Sequence, residues 1–201
     1  MNHKKIIIMI CFSIMTGIFC SCGKMQNEKT EPSDTSSINM EDGTFHFEMI
    51  ESNIYIKGYR FTVPQKLSEL EEGLTYKFIG EEFDDGLYEV EISDENGIIL
   101  RSLADNAHHK NGKAFLYNIA VEDSESNVAG MIPHMTTKEE VVKKFGEPDE
   151  IVSSYSDENK KIYKYGTYEV KNCYRSIGKF MTISFDTDGI VELIVVNSVS
   201  S

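Results

Sequence analysis

The chain has 201 residues, with 20 Lys and Arg against 33 Asp and Glu, and its formal net charge is −13. This length suits one compact domain or two small ones, and the composition excludes a wholly disordered chain and a polytopic membrane protein. The acidic balance argues against nucleic-acid binding, which needs a basic face to neutralise phosphates. Only three arginines are present, at Arg60, Arg101 and Arg175.

The first 21 residues have the pattern of an export signal. Lys4 and Lys5 precede an uncharged, mostly apolar run that extends from Ile6 to Phe19. This run is shorter than the roughly 20 residues that a permanent membrane-spanning helix needs. A charged start, a short apolar middle and small residues at the end are typical of a cleaved signal. We therefore expect residues 1–21 to be a signal peptide.

The segment Phe19-Cys20-Ser21-Cys22-Gly23 resembles the lipobox of bacterial lipoproteins. In that family an apolar residue lies three positions before a cysteine, a small residue lies just before it, and the cysteine becomes the lipidated first residue. Cys22 fits this pattern with Ser21, whereas lipidation of Cys20 would place the bulky Phe19 at the cleavage position. The resemblance implies a lipid anchor on Cys22 and a body on the extracytoplasmic side of the cell membrane. An ordinary signal peptide with incidental cysteines is the alternative.

Cleavage before Cys22 would leave Cys173 as the only other cysteine, so no intramolecular disulfide is expected. We interpret Cys173 as a small buried or half-buried side chain rather than as a nucleophile. The mature chain would carry 18 basic and 33 acidic side chains, a net charge of −15. Because anionic headgroups repel such a body, the lipid on Cys22 would have to hold it at the membrane.

Residues 22–43 contain the lipidation site and a polar stretch without apolar periodicity, which predicts a disordered tether. The body that follows alternates short strand patterns with two short helices. Its predicted strands lie around residues 45–49, 59–63, 74–79, 87–92, 98–103, 115–121, 150–155, 161–168, 180–185 and 190–196. We expect an α+β fold with short helices packed on antiparallel sheet. The similar plan of the two halves raises the hypothesis of two tandem helix-plus-sheet modules, residues 44–128 and 129–201.

Both predicted helices have recognisable ends. The first would follow Pro64 and end at Gly73. The second would begin at Thr137, which forms a capping box with Glu140 three residues later. Gly146 supplies its stop signal, and the last strand run, around residues 190–196, is typical of a central, well-covered strand.

Three segments of the second half, Met135–Asp149, Tyr163–Gly166 and Phe180–Val196, resemble the SmpA/OmlA lipoprotein family and the related β-lactamase-inhibitor-protein fold. The shared pattern is a capped helix that ends in Gly-x-Pro-Asp, an aromatic strand, and a hairpin with an acidic glycine turn. The likeness covers about residues 130–197, a third of the chain. It implies a helix-on-sheet module without catalytic machinery, which binds other proteins or braces an envelope assembly.

An acidic segment is the first candidate for chemistry. Between Glu81 and Glu95 the chain has eight acidic residues and no Lys or Arg. A calcium site is one interpretation, since hard cations bind several carboxylate oxygens. However, Glu89 and Glu91 alternate with apolar residues, as on a solvated strand face, and we prefer this second interpretation.

Two acidic segments predict turns between neighbouring strands. Asp94–Gly97 predicts a hairpin turn, because Asn-Gly readily adopts positive φ. Asp186–Gly189 is similar to the start of a calcium loop, but two ligand positions of that loop would hold Ile190 and Asn197. We therefore predict a second hairpin turn there.

The chain contains none of the common short catalytic or metal-binding motifs. His108 and His109 are adjacent, and adjacent side chains in extended structure point apart, so shared zinc ligation is not expected. We name no catalytic, cofactor-binding or metal-ligating residue and expect no cofactor. Catalytic triads are assembled in space, so this does not exclude an enzyme.

The tyrosines allow two interpretations. Five of the ten lie in the second half of the chain: Tyr155, Tyr163, Tyr165, Tyr168 and Tyr174. A binding surface is one possibility and large core residues are the other, since the chain has no Trp. Tyr163 and Tyr165 match the aromatic positions of the resembled family, and we assign them to the core.

The resulting expectation is a membrane-anchored, non-catalytic lipoprotein that binds another envelope protein or contributes to envelope structure. A lipoprotein that binds a small molecule or an ion is the first alternative, and a large apolar cleft would favour it. An exported hydrolase is the second, which a buried and perturbed cluster of acids and histidines would support.

Overall fold

Antiparallel strands dominate this protein in a computed structural model that describes residues 43–84, 87–105, 114–154, 157, 160–170 and 176–199. The strands in chain order are β1 (Ile54–Ile56), β2 (Tyr59–Phe61), β3 (Gln65–Lys66), β4 (Thr75–Asp84), β5 (Leu87–Asp94), β6 (Gly97–Asp105), β7 (Phe115–Leu116), β8 (Asn118–Val121), β9 (Asn127–Val128), β10 (Glu150–Ser153), β11 (Lys161–Val170), β12 (Ser176–Phe185) and β13 (Val191–Val199). The other described elements are α1 (Lys138–Phe145) and 3-10 turns at Phe47–Met49 and Leu67–Glu69. The predicted α+β class is correct, with sheet as its main component.

The strands form three sheets in which every pair is antiparallel. A small sheet has the order β2-β1-β9, the first sheet has the order β3-β7-β6-β5-β4, and the second sheet has the order β10-β11-β12-β13-β8. Short local connections explain the pairing of consecutive strands such as β4, β5 and β6, because parallel neighbours need long crossovers. The pairs β1–β9, β3–β7 and β8–β13 instead join distant segments of the chain.

Tandem helix-plus-sheet modules are not supported. No α-helix occurs between residues 43 and 128 in the described part of the chain. Strand β8 lies in the predicted first module, yet it pairs with β13 at the far end of the chain. One hydrophobic core joins all three sheets and includes Phe61, Ile92 and Ile194, each with 0% exposure. Both halves of the chain therefore contribute to the same core.

Helix α1 forms as its sequence predicts. The Thr137 hydroxyl accepts a hydrogen bond from the Glu140 backbone N–H at 3.2 Å, and the Thr137 N–H donates to the Glu140 carboxylate at 2.8 Å. At the other end, Gly146 adopts φ +77° and its N–H donates to the Val142 carbonyl at 2.8 Å. Because these signals use only neighbouring residues, they predict the helix without knowledge of the fold.

Two local predictions are wrong. The segment predicted as a strand around residues 45–49 contains a 3-10 turn that buries Phe47. The helix predicted after Pro64 is reduced to the 3-10 turn Leu67–Glu69, because the residues before it pair with β7. The Leu67 N–H also donates to the Ala114 carbonyl at 2.9 Å. A short isolated helix is costly to nucleate, so long-range pairing determines the conformation instead.

Both predicted hairpin turns are confirmed. An Asp94 carboxylate oxygen accepts the N–H groups of Asn96 at 2.7 Å and Gly97 at 3.0 Å. In the second turn, an Asp186 oxygen accepts the N–H groups of Asp188 at 2.9 Å and Ile190 at 2.8 Å. The acids that suggested a calcium loop thus fold back on their own backbone.

Candidate functional site

Several residues singled out from the sequence lie outside the described residues: Cys22, His108, His109, Tyr155, Cys173 and Tyr174. Lipidation of Cys22 therefore stays a prediction, as do the tether and the signal peptide. In the part of the chain that the structure describes, no helix is long and apolar enough to cross a membrane.

The middle of the acidic segment is held by ion pairs. Glu91 on β5 lies between Lys77 on β4 and Arg101 on β6, at 2.6 Å and 2.9 Å. Glu91 is 5% exposed because these two cations cover it on the side of the sheet opposite the core. Their hydrogen bonds, from Lys77 first and then Arg101, lower the pKa of the Glu91 carboxyl below its usual 4.5. At Glu91 the predicted solvated face is therefore covered by two ion pairs. We call Lys77, Glu91 and Arg101 the charge triad.

No metal site is found within the described ranges: no group of three or more His, Cys, Asp or Glu side chains is placed to hold an ion. Among the acids of the segment, Asp94 is engaged in its own turn and in a hydrogen bond from the Tyr59 hydroxyl at 3.1 Å. These carboxylates have structural partners, which leaves the surfaces of the sheets as the places to look for function.

The second sheet has two faces of different character. The inward positions in the middle of the sheet belong to the hydrophobic core, and one cross-strand row of them consists of Tyr163, Ile183, Ile194 and Val121. The next row consists of Tyr165, Met181, Val196 and Ile119. The assignment of Tyr163 and Tyr165 to the core is confirmed, since they are 4% and 0% exposed.

The outward positions mix apolar and polar residues, and none of them belongs to the core cluster. The polar ones include Glu150, Lys164, Ser184, Asn118 and Asn197. We call the following nine outward residues the outer face of the second sheet: Ala120, Val152, Ile162, Tyr168, Phe180, Thr182, Leu193, Val195 and Val199. All of its members except Phe180 are half-buried, and Phe180 is 9% exposed. Strand β13 is central as predicted, yet Leu193 and Val195 remain half-buried, so only one of its faces is fully covered.

Two glycines shape one end of the outer face. Gly166 lies opposite Phe180 in the ladder, and Gly178 lies opposite Tyr168. A Cβ atom on Gly178 would lie 2.1 Å from the Thr167 carbonyl oxygen, and its φ of +133° is unfavourable for other residues. The absence of these side chains lets the strands approach closely, and the Tyr168 and Phe180 rings meet beside them with centroids 5.2 Å apart.

A polar cluster borders the face on its β10 side. The Tyr168 hydroxyl donates to the Glu150 carboxylate at 2.7 Å, and the Lys164 ammonium lies 3.3 Å from the same oxygen. Lys164 also donates to the Tyr168 hydroxyl and lies 4.4 Å from the centroid of its ring. The hydrogen bond from Tyr168, together with that from Lys164, lowers the pKa of the Glu150 carboxyl. The margin is therefore polar and nearly neutral in local charge.

This arrangement suits contact with another surface better than covalent chemistry. Protein interfaces combine apolar and aromatic contact area with polar groups, and the outer face offers apolar residues, an aromatic pair at one end and the polar pair Glu150–Lys164 on its β10 side. The sequence signal for it was present in β13, where apolar residues occupy both alternating sets of positions. That run predicted a strand covered on both faces, and only the registers separate its inward from its outward residues.

No known protein family, no curated protein and no solved structure matches this chain.

Proposed function

We propose that this protein is an exported bacterial lipoprotein that binds another protein of the cell envelope through the outer face of its second sheet. A lipid on Cys22 would hold it at the membrane, with the body on the extracytoplasmic side. The body acts as a non-catalytic binding module. The resemblance of the second half to SmpA/OmlA lipoproteins agrees with this role.

The observation that carries the proposal is the apolar outer face. The five strands have 4, 10, 10, 9 and 4 residues, and at about 4.8 Å between strands and 3.3 Å per residue the sheet face measures roughly 600 Å². A stable interface buries about 800 Å² on each partner, so the face and its polar margin supply a large part of one. Apolar side chains such as Leu193 and Val195 would gain about 25 cal/mol for each Å² that a partner removes from water.

The start of the described chain contacts the second sheet on its inward face, opposite the outer face. The ring of Phe45, near the start of the described residues, lies 5.3 Å from Tyr165 and 6.1 Å from Phe145, both in the core. The described chain that leads into the body thus runs along the inward face.

Four carboxylates of the body already have structural roles. Glu91 pairs with two cations, Asp94 closes a turn, Glu140 completes the helix cap, and Glu150 accepts the Tyr168 hydroxyl. A general acid or base needs a group that reaches a substrate. The engagement of these groups supports a binding module over a hydrolase.

The anchor is tested by labelling cells with a palmitate analogue. We expect the unaltered chain to be labelled and to remain with the membrane, and Cys22→Ala to lose the label and accumulate unprocessed. Cys20→Ala is the matched control and should be labelled normally. Continued labelling of Cys22→Ala would overturn the lipidation site.

The face is tested by site-specific photo-crosslinking in intact cells. A photoreactive residue replaces Thr182 on the outer face, and the control replaces Glu139, which is exposed on α1. We expect one discrete protein adduct from position 182, none of the same size from position 139, and loss of the adduct in Val195→Glu. Equal adducts from both positions would contradict a specific outer-face partner.

A further inference from the structure

The turn between β5 and β6 contains one of the two Asn-Gly pairs in the sequence. Asn96 and Gly97 are exposed in this turn, whereas the other pair, Asn111-Gly112, lies outside the described residues. Asn-Gly pairs are prone to deamidation, because glycine has no side chain to hinder attack by its backbone nitrogen on the preceding amide. The turn is therefore a candidate modification site, and its reactivity depends on what holds the two reacting groups.

The reaction needs a Gly97 backbone nitrogen that is free to attack. After giving its proton to water, this nitrogen forms a bond to Cγ of Asn96, and the bond from Cγ to Nδ2 breaks. Nδ2 takes up a proton and leaves as ammonia, and water then opens the five-membered imide at either of its carbonyls. The net change consumes one water, releases one ammonia and leaves an aspartate or an isoaspartate at position 96.

One carboxylate holds both reacting groups in the turn. Asp94 Oδ1 accepts the Gly97 N–H at 3.0 Å and the Asn96 N–H at 2.7 Å. Asp94 Oδ2 accepts a hydrogen bond from Asn96 Nδ2 at 3.3 Å. An N–H that is hydrogen-bonded to a negative charge is harder to deprotonate, and an amide held by its nitrogen is restrained from turning toward Gly97. Asp94 thus opposes the reaction at the attacking nitrogen and at the amide under attack.

Contacts from the small sheet hold this carboxylate and the turn in place. The Tyr59 hydroxyl on β2 donates to Asp94 Oδ2 at 3.1 Å, and the Lys57 ammonium donates to the Ile98 carbonyl, just after the turn, at 3.2 Å. Burial raises the pKa of the Asp94 carboxyl, but hydrogen bonds, chiefly from Asn96 and then from Tyr59, outweigh this and keep the pKa below its usual 3.8. The carboxylate is therefore ionised at neutral pH and can accept all of these donors.

We propose that Asn96 is a deamidation site that Asp94 keeps unreactive while the turn between β5 and β6 is folded. Deamidation replaces the Nδ2 donor that faces Asp94 with a second carboxylate, and the two negative charges repel each other. A turn that has reacted therefore closes less readily than before. Local opening of the turn sets the rate at which chains are modified. This site lies on the first sheet and does not depend on the outer face of the second sheet.

Peptide mass spectrometry of the full-length chain in detergent tests the proposal. The chain is incubated in mildly alkaline buffer made with heavy-oxygen water, so that each new carboxyl is labelled, and the peptides that contain Asn96 and Asn111 are followed separately. We expect Asn96 to react about tenfold or more slowly in the folded chain than in guanidinium chloride, since a hydrogen bond to a charged group is worth about that factor. Equal rates at Asn96 in the two states would overturn the proposal.

Two aspartates that close turns of the same kind separate the local effect from a general loss of stability. Asp94→Ala should raise the rate at Asn96 in the folded chain toward the rate in guanidinium chloride. Asp186→Ala is the matched control, because Asp186 accepts two backbone N–H groups in a turn that contains no Asn-Gly pair. It should leave the rate at Asn96 unchanged. Equal acceleration by both variants, or none by Asp94→Ala, would show that Asp94 does not protect Asn96.

A conservative variant gives the answer even if Asp94→Ala does not fold. Asp94→Asn keeps the shape of the side chain and one acceptor oxygen, and it removes the negative charge. Because a neutral hydrogen bond is weaker than a charged one, the rate at Asn96 should rise about fivefold while the circular dichroism spectrum stays the same. A folded Asp94→Asn with an unchanged rate would contradict the proposed role of the carboxylate.

Discussion

The two five-stranded sheets use their outward positions differently. On the first sheet, the charge triad of Lys77, Glu91 and Arg101 lies on three neighbouring strands. Its two ion pairs cover the outward face at that point. On the second sheet, the outward positions of β13 include the apolar residues Val195 and Leu193, beside polar residues such as Thr182 and Ser184 on β12. A charged outward row is stable in water without a partner. An apolar one gains free energy when a partner covers it, which is why we assign protein binding to the second sheet.

The largest expected effect comes from the close strand approach that supports the outer face. In Gly178→Ala, the new Cβ would lie 2.1 Å from the Thr167 carbonyl oxygen and the backbone would keep an unfavourable φ of +133°. We expect a loss of about 3–5 kcal/mol in the free energy of unfolding, measured by urea denaturation. Gly97→Ala is the matched control, since φ is +140° and no atom lies within 4 Å of its Cβ position. Strain alone should cost it about 1–3 kcal/mol, and an equal loss in both variants would refute the steric account.

Two neighbouring residues on β13 lie on opposite faces of the second sheet, so substituting each one compares how well the two faces are covered. Ile194 is 0% exposed in the core, while Leu193 is half-buried on the outer face. Ile194→Ala should lower the free energy of unfolding by about 2–5 kcal/mol, because it leaves a cavity. Leu193→Ala should cost about 1 kcal/mol. Similar urea midpoints for the two variants would mean that the outer face is as well covered as the core.

The charge triad of the first sheet predicts a pH dependence. The folded-state pKa of Glu91 is lowered, so its contribution to stability is present above its unfolded pKa, near 4.5, and is lost as the pH falls through the folded value. We expect Glu91→Gln to have a lower urea midpoint than the unaltered chain at pH 7. The difference should shrink below about pH 4.5.

Glu89→Gln is the control for this prediction. Glu89 lies on the same face two residues earlier and outside the triad. Its substitution should change the pH 7 midpoint less than that of Glu91. A midpoint difference for Glu91→Gln that stays constant from pH 7 to pH 3 would contradict the ion-pair explanation.

The smallest effect is expected at the polar margin of the outer face. Tyr168→Phe removes the hydroxyl that donates to Glu150 at 2.7 Å and keeps the ring against Phe180. The pKa of Glu150 should rise, as followed by NMR titration of its side-chain carbon, while the urea midpoint changes little. An unchanged Glu150 pKa would show that this hydroxyl does not hold the carboxylate in solution.

Local signals predicted much of the fold. The Thr137 and Glu140 cap, the Gly146 stop and the turns at Asp94 and Asp186 are all confirmed, because each depends on hydrogen bonds between residues close in sequence. The prediction of the first helix was wrong because the residues at its start pair with β7, about fifty positions later in the chain. Local propensity is weak where long-range pairing competes with it.

The candidate site was only partly predictable. The aromatic positions of the resembled family correctly assigned Tyr163 and Tyr165 to the core, but Tyr168 lies on the outer face three residues later. The acidic segment was correctly placed on a strand, yet its contact with Lys77 and Arg101 depends on the registers of two strand pairs. Register is a property of paired strands, so single-strand patterns do not contain it.

The sequence by itself determined the α+β class, the helix ends and the turns, because these follow from interactions among neighbours. It also predicts the export signal and the lipid anchor on Cys22. The tertiary structure decided that both halves share one core, that β4 is an edge strand of the first sheet as described, and that Leu193 and Val195 point away from the core. Which apolar residues remain uncovered depends on which strands become neighbours and in what register, and that is settled only when the sheets assemble.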